Sequence, residues 1–328
     1  GSSPSRPETS RSASAQRLVE SAISATCRPW SRKCSAAAMA QFAARFFAPP
    51  PDLAGCLTSI YRLDLTVADG ETVVDWLQPE WGNLRVFSGA LPWAQVGTGE
   101  VVDKARFTVT GPSSRATRFA LGMTRMLGIG MLPLGWARFV GRPAAPYANM
   151  LADAERTPEF VHFRALPGIF GDAPDDEVEM QRIVAILRGL GQPVPDEERI
   201  VRVHNAMVEL GVATVADFAD LAGVSVRALE RTCRRHFGFP PKLLLRRQRF
   251  MRSLAAWMLG GMGKWTAAID ELYTDQSHFN HEFHEFMGMG PSEYAALPHP
   301  ILSAFMEQRA KTWGSPAQTL DRPGGKTA

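Results

Sequence analysis

The sequence predicts an α+β chain in which a β-rich barrel or sandwich is followed by an all-α domain. Three observations support this prediction. The chain has 328 residues, more than one average domain needs. Up to about residue 132 it consists of short apolar runs separated by turn residues. After Asp153 the apolar residues recur every three or four positions, the spacing of one helix face.

The first half contains five runs that predict strands. They are Leu57–Leu65, Thr72–Trp76, Leu84–Phe87, Phe107–Thr110 and Met126–Met131. Turn residues such as Gly70, Pro79 and Gly111-Pro112 separate them, which is typical of a sandwich or barrel. Pro133 and the run Leu134–Val140 predict a short helix that ends at Gly141.

A helix is predicted over Val178–Leu190, with apolar residues at helical spacing and Gly191 after its end. Two interpretations remain open: the apolar stripe forms a dimer contact, or it packs on the β-rich domain of the same chain. A rigid Pro-Val-Pro break ends at Pro195, and the stretch from Asp196 to about Leu297 is predicted to be helical.

Residues 1–48 predict a leader outside the fold. They contain seven basic and two acidic residues and are rich in Ser and Ala, a composition that transit peptides share. The alternative is that Met39 is the natural start and that a non-native or disordered stretch precedes it. The initial Gly-Ser is typical of an expression scar.

Composition limits the class of protein. Lys and Arg number 36 against 33 Asp and Glu, which excludes a globally basic nucleic-acid coat but allows a local basic patch. The four cysteines form no CxxC pair, which argues against a disulfide scaffold or a zinc ribbon and favours a reducing cytoplasm. The sequence has no run of 18 apolar residues, so no transmembrane helix is predicted.

The helical half contains an internal repeat: residues 225–241 and 275–291 are similar at an offset of 50. The matched pairs are Leu229 with Phe279, Cys233 with Phe283, and Gly238 with Gly288. A short amphipathic helix and a tight turn are predicted before each copy, with the helices over Val215–Ala222 and Thr266–Leu272. Ser225 and Asp275 stand where the second helix of each unit needs an N-cap. This pattern predicts two helix-turn-helix units, which we call the first unit (215–241) and the second unit (266–291).

These motifs resemble the AraC/XylS family of bacterial transcription regulators. The resemblance depends on Asp275-Gln276-Ser277-His278-Phe279 with Gly288–Tyr294, on Phe218–Ser225 with Phe237-Gly238, and on Leu244–Arg249. It extends from about Arg199 to Leu297. Residues 52–165 resemble more weakly a cupin-like N-terminal sensor region of some members, through Thr110-Gly111-Pro112 and Pro133–Arg138.

The resemblance implies a role for each exposed residue of the repeat. In the first recognition helix it assigns base reading to Arg227, Glu230 and Arg231, and phosphate contact to Arg234 and Arg235. In the second it assigns base reading to Gln276, Ser277, His278, Asn280 and His281. Arginine suits guanine, whereas Gln and Asn suit adenine, and phosphate contacts supply affinity and salt dependence.

It also implies a cytoplasmic, homodimeric activator that contacts promoter DNA and RNA polymerase, with a small-molecule effector in the N-terminal domain and with no cofactor, metal or catalysis. The expected parts are a leader (1–48), a sensor and dimerisation domain (49–165), a linker helix region (166–195), a DNA-binding domain (196–300) and a frayed tail (301–328).

Two features depart from the family pattern. Leu272 stands where the family usually has Gly in the second turn, and a left-handed backbone there would cost a Leu ~1 kcal/mol or more. Residues 225–252 contain nine basic residues and one acidic residue, a net charge of +8, whereas residues 253–300 have a net charge of −5. The hypothesis is that the first unit and the linking helix dominate DNA affinity.

Two alternatives belong to other classes. A degenerate regulator would act as a protein-interaction partner without reading DNA, as the acidic second unit and Leu272 suggest. A DNA-repair alkyl transferase would need a reactive Cys motif and a Cys-rich zinc site, which the four scattered cysteines do not provide. His278, His281 and His284 do not converge on one helix face, which argues against a metal site.

Several residues of the first half have two interpretations. Four tryptophans either line an apolar ligand pocket or belong to the core: Trp76, Trp81, Trp93 and Trp136. Arg138 and Arg142 are spaced so that both can bind one phosphate. Alternatively, Arg138 alone can hold the helix in place through a salt bridge. Cys56 is expected to be a buried filler. The first histidine is His162, which argues against a His-ligated metal site in the β-rich domain.

Overall fold

The computed structural model describes residues 40–171 and 174–323. Two antiparallel sheets occupy the first part and helices the second, so the expected fold class is confirmed. The sheets are separate layers of a sandwich and do not close into a barrel.

The larger sheet has six strands in the order β1-β2-β9-β4-β7-β10. Their bounds are Gln41–Phe47 (β1), Leu57–Thr66 (β2), Thr124–Met131 (β9), Gly82–Gly89 (β4), Phe107–Thr110 (β7) and Leu151–Asp153 (β10). The smaller sheet has the order β3-β8-β5-β6. Its strands are Val73–Leu77 (β3), Thr117–Leu121 (β8), Trp93–Val96 (β5) and Val101–Asp103 (β6). All five predicted strands are present, with slightly different ends.

Strand β1 corrects the predicted leader boundary at residue 48. Residues 41–47 pair antiparallel with β2 and bury Phe42 and Ala44 on one face. Arg45, which contributed to the basic leader composition, forms an ion pair with Asp176. The remainder of the predicted leader and Met39 lie outside the described residues.

The helices follow the sandwich along the chain. Their bounds are Pro133–Gly135 (α1), Asp176–Leu190 (α2), Glu197–Val208 (α3), Val215–Leu221 (α4), Val226–Thr232 (α5), Pro241–Leu259 (α6), Gln276–Met287 (α7), Pro291–Ala295 (α8) and Pro300–Trp313 (α9). Helix α1 continues as a π-helical turn over Trp136–Val140 and ends at Gly141, as the sequence predicts.

Helix α2 packs on the sandwich of its own chain. Asp176 forms ion pairs with Arg45 and Arg62 of the larger sheet. Ile183 and Leu187 are fully buried in the core that the helix shares with the larger sheet. Ile183 and Leu187 are therefore not available for a dimer contact, which favours the interpretation that the helix packs on the β-rich domain of its own chain.

The C-terminal segment is a packed part of the fold, which corrects the prediction of a frayed tail. Helix α9 lies against β1 and β3. The Asp75 carboxylate accepts hydrogen bonds from the backbone N–H groups of Ile301 and Leu302, at 2.8 and 2.9 Å. These bonds satisfy donors that have no partner inside a helix. The ring of Phe305 packs edge-on against Phe46 and Tyr61.

We expect Leu187→Asp to lower the free energy of unfolding by about 4 kcal/mol or more, because it leaves a cavity and buries a carboxylate. Urea unfolding measures this change. The control is Val178→Asp on the same helix, where 38% of the side chain is exposed and where a change below about 0.5 kcal/mol is expected. A stable Leu187→Asp variant that dissociates from a dimer would contradict the assignment.

Candidate nucleic-acid interface

The first unit has the geometry that the repeat predicts. Thr214 and Asp217 form a capping box at the start of α4. Gly223 adopts a left-handed conformation (φ +64°) in the turn, where a side chain would be strained. Ser225 then caps α5 by accepting a hydrogen bond from the N–H of Ala228 at 3.3 Å. The predicted cap and turn are both confirmed.

One face of α5 belongs to the core, and the others are open. Leu229, Cys233 and Phe237 are fully buried. The helix continues as a π-helical turn to Phe237 and ends at Gly238 (φ +84°). The predicted DNA-contacting residues of this unit are all exposed: Arg227, Glu230, Arg231, Arg234 and Arg235. Their side chains form no salt bridge within the described chain, so their charges are available to a partner.

Helix α7 of the second unit repeats this arrangement. Asp275 caps it by accepting a hydrogen bond from the N–H of His278 at 2.8 Å, and Gly288 (φ +74°) ends it. Its buried face consists of Phe279, Phe283, Phe286 and Met287. Its exposed predicted residues are Gln276, Ser277, Asn280 and His281.

His278 is the predicted reading residue that lies differently. Its Nε2 atom is 3.2 Å from a guanidinium nitrogen of Arg249 and 3.4 Å from the Glu282 carboxylate. Its ring packs edge-on against Tyr273. The side chain is half-buried within the domain, and its contacts are those of a structural residue.

The predicted helix over Thr266–Leu272 is wrong, because only a short 3-10 turn forms at Trp265–Ala267. Trp265 stacks on Trp257 of α6 with ring centroids 4.2 Å apart. Asp270 is held to α6 by a hydrogen bond from its N–H to Ser253 Oγ and by an ion pair with Arg252. These contacts to α6 replace the regular backbone bonds of a helix.

Leu272 avoids the strain that the sequence suggested. The described non-glycine residues with positive φ are Lys104, Asn149, Met262 and His299. The N–H of Leu272 instead donates to the Asp270 carboxylate at 3.0 Å. The second turn is therefore reshaped around Asp270 and needs no glycine at position 272.

The arginines of the linking helix α6 have partners within the protein, whereas the contribution of this helix to DNA affinity stays a hypothesis. Arg246 pairs with Glu282 and Glu285 of α7, and Arg249 pairs with Glu282. Burial raises the pKa of Glu282, but hydrogen bonds from Arg249 and Arg246 outweigh burial and lower it overall. The acidic residues of the second unit thus neutralise the basic residues of α6.

Arg247 of α6 is completely buried and contacts the sandwich. Its Nη1 donates to the backbone carbonyl of Ser113 at 2.8 Å, and its guanidinium carbon lies 3.8 Å from the ring centroid of Trp81. Burial lowers its pKa to about 9. Five of the nine basic residues in 225–252 therefore stay exposed: Arg227, Arg231, Arg234, Arg235 and Lys242.

The sandwich also holds the C-terminal ends of both recognition helices. The N–H of Ala144 donates to the carbonyl of Arg235 at 2.6 Å, and the N–H of Ala116 donates to the carbonyl of Phe286 at 2.8 Å. Gly238 lies so close to Pro112 that a Cβ atom would be 2.6 Å from the proline ring. We call residues 112–116 the hinge segment, because they contact both units and, through Ser113, the linking helix.

The remaining predictions for the first half concern its core. Trp81 and Trp136 are buried in the core. Trp76 and Trp93 flank the Arg118 guanidinium at 5.5 and 5.6 Å.

Arg138 forms a salt bridge with Glu197. Cys56 is a buried filler, and burial raises its pKa to about 11.

Residues 218–296 match the family model described as a helix-turn-helix domain. This C-terminal region is an AraC-type helix-turn-helix domain. The match begins inside α4 and ends after α8, so it includes all of the second unit and all but the first three residues of the first unit. The resemblance predicted for the C-terminal region is confirmed, while that of residues 52–165 stays a prediction.

Solved structures with a similar arrangement include ToxT from Vibrio cholerae, at 11% identity and a TM-score of 0.40, with 69% of this chain and 97% of that chain covered. ToxT bound to (E)-4-(8-methylnaphthalen-1-yl)but-3-enoic acid gives 12% identity and a TM-score of 0.42 over 69% and 97%. The AraC-like transcriptional activator CuxR gives 12% and 0.29 over 63% and 79%.

No curated protein matches the chain. No helix among the described residues is long and apolar enough to cross a membrane.

Because of His204 in α3, the free energy of unfolding of the protein is expected to depend on pH. Burial lowers the pKa of His204 to about 3, with a smaller contribution from the Arg247 cation. The unfolded chain therefore binds a proton near pH 6.5 that the folded chain rejects, so stability falls as the pH decreases below 6.5. We expect His204→Gln to remove about 2 kcal/mol of the loss between pH 7 and pH 5.

Urea unfolding of both proteins at the two pH values measures this difference. His204→Leu, which also cannot titrate, should give the same reduced pH dependence. An undiminished pH dependence in both variants would show that His204 is protonated in the folded protein.

Proposed function

We propose that this protein is a transcription regulator that reads promoter DNA with the exposed faces of α5 and α7. The observation that carries the proposal is the set of exposed charged side chains on α5, within a domain that matches a helix-turn-helix family. A helix with one buried stripe and free cations on its outer faces can enter a major groove while its scaffold stays packed.

The two recognition helices have different proposed roles. Arg227 and Arg231 are four residues apart on α5 and suit guanine edges, while Arg234 and Arg235 suit phosphates. Gln276 and Asn280 of α7 have the amide groups that pair with adenine. We propose that the helices occupy successive major-groove segments about 34 Å apart, one turn of duplex.

We propose that the first unit supplies most of the affinity. Its cations are exposed, whereas the acidic residues Glu282 and Glu285 of the second unit are paired with α6. The segment before α7 is also irregular, so the second unit has no regular first helix beside its recognition helix. Phosphate contacts by Arg and Lys provide the larger, salt-dependent part of binding.

Effector response is the finer part of the proposal. A cavity in the sandwich, bounded by α9, is the proposed effector site. A homodimer and contact with RNA polymerase also belong to the proposal, with the dimer interface away from the buried stripe of α2. The proposed parts are a sensor domain ending near residue 165, a linker helix region and a DNA-binding domain over 196–300.

The first test is a binding selection on random duplex DNA, followed by a salt titration on the enriched sequence. We expect two boxes whose centres are one helical turn apart. Arg231→Ala should weaken binding to that sequence about five- to 150-fold, the cost of one lost base contact. Arg188→Ala removes the same charge from an exposed position of α2 and should have little effect.

The unequal contribution of the two units has its own test. We expect Asn280→Ala to weaken binding less than Arg231→Ala, and to relax sequence preference in one box only. Competition binding with single-base variants of the selected site measures both effects. Equal losses for the two variants would show that α7 reads DNA as strongly as α5.

A second candidate function is a protein-interaction partner that does not read DNA by itself. The irregular scaffold of the second unit and its internally paired charges favour it. A binding selection that enriches no DNA sequence, together with DNA binding that does not depend on salt concentration, would support this function over the first.

A further inference from the structure

The C-terminal segment, residues 299–321, forms one wall of a cavity inside the sandwich. The other walls come from both sheets, with Leu63, Phe87 and Phe119 among the lining residues. From α9 the apolar side chains of Ile301 and Phe305 line the cavity. Residues more than 170 positions apart in sequence thus enclose one apolar space.

Three sets of polar contacts hold this wall in place. The Asp75 carboxylate caps the start of α9. Arg309 donates to Ser59 Oγ at 2.9 Å. Gln318 and Asn83 exchange two side-chain hydrogen bonds of 3.1 Å each. The wall is therefore fastened by hydrogen bonds at its two ends and at Arg309 near its middle, with apolar contacts between them.

The cavity is too small for an ordinary ligand while the wall is in place. Its volume is about 70 Å³. An engineered apolar cavity of about 150 Å³ holds benzene, and ligand sites are typically about 300–1,000 Å³. A ligand of ordinary size must therefore displace part of the cavity wall. Side-chain contacts join α9 to the sandwich, whereas backbone ladders join the strands to one another, so α9 is the part that is easier to displace.

The charges at the cavity are already compensated. Arg85 is paired with Glu80 at 2.6 Å, and Arg309 is paired with Asp321. The buried lining atoms that lack a hydrogen-bond partner among the described residues are Gln78 Oε1, Thr117 Oγ1 and Arg309 Nε, and the first two are uncharged. A carboxylate would add a negative charge to a site whose two arginines already have carboxylate partners, whereas a hydroxyl group would find an amide oxygen that can accept its hydrogen bond.

We propose that this cavity binds an uncharged, largely apolar molecule with one hydroxyl group, and that α9 is the movable wall that admits it. The inference rests on the proposed effector role of the cavity and specifies the ligand class and the moving element.

Displacement of α9 would be transmitted directly to the DNA-binding domain. Helix α9 follows α8 after a short connection that includes His299, which has a strained left-handed backbone (φ 42°). On the opposite wall, Thr117 is next to Ala116, whose N–H donates to the carbonyl of Phe286 at the end of α7. Ligand entry therefore changes the support of α7 from two sides.

The test uses the full chain and the neutral fluorescent probe N-phenyl-1-naphthylamine. 1-Decanol and decanoate at pH 8 then compete with the probe, because they have the same chain length and differ in charge. We expect decanol to displace the probe at a concentration at least tenfold lower than decanoate. Decanoate that competes as well as decanol, or a protein that binds no probe, would overturn the ligand class.

The movable wall is tested with Phe305→Ala, which removes a ring from the cavity wall. We expect at least tenfold tighter probe binding than in the unsubstituted protein. Phe170→Ala removes a comparably half-buried ring outside the cavity and should leave probe binding unchanged. Phe305→Leu serves if the alanine variant does not fold. Equal probe affinity in all these proteins would overturn the role of α9.

Hydrogen exchange adds a readout of motion. Decanol should accelerate exchange of the backbone amides of α9, and unchanged exchange with bound decanol would also overturn the movable wall. DNA binding without ligand is measured in parallel. Absence of DNA binding would contradict only the proposed function. The probe and hydrogen-exchange results would still decide the ligand class and whether α9 moves.

Discussion

The burial of Arg247 is the constraint on which the relative placement of sandwich and DNA-binding domain depends. A guanidinium without a carboxylate partner is costly to remove from water. Here the carbonyl of Ser113 and the face of Trp81 replace that water. Both groups belong to the sandwich, while Arg247 belongs to the linking helix that joins the two units. The helix cannot leave this position without exposing Trp81 and abandoning the carbonyl. His204 lies 5.7 Å from Trp81 and remains neutral beside the buried cation.

This arrangement divides the arginines of residues 225–252 into two groups with separate tasks. Those of α5 face outward and form no ion pair within the described chain, whereas those of α6 fasten α7 and the sandwich. Net charge counts both groups equally, so a segment with a charge of +8 looks like one basic surface. Pairing with Glu282 and Asp270 leaves much less charge for DNA. The acidic character of the second unit has the same origin, since its carboxylates balance the linking helix.

The sequence contains the information for local structure and much less for distant contacts. Ser225, Asp275, Gly238 and Gly288 define the ends of α5 and α7 because caps and left-handed glycines act within a few residues. The short strands β5 and β6 have too few residues to show a period. The contact of Asp75 with α9 joins residues more than 220 positions apart, and no local pattern could predict it. The segment before α7 has an amphipathic spacing, but contacts of Trp265 and Asp270 with α6 prevail over it.

The hinge segment is one place from which the proposed effector would influence both recognition helices. Pro112 packs on Gly238 after α5, Ser113 holds Arg247, and Ala116 holds the carbonyl of Phe286 near the end of α7. A shift of this segment therefore moves the supports of both helices together. A ligand shifts such an equilibrium only as far as its affinities for the two states differ. Because the cavity has a volume of only about 70 Å³ when α9 is in place, a larger ligand that fills it would favour the displaced state. The same space that is too small for a ligand in this conformation would thus be the source of the differential affinity that the proposed regulation requires.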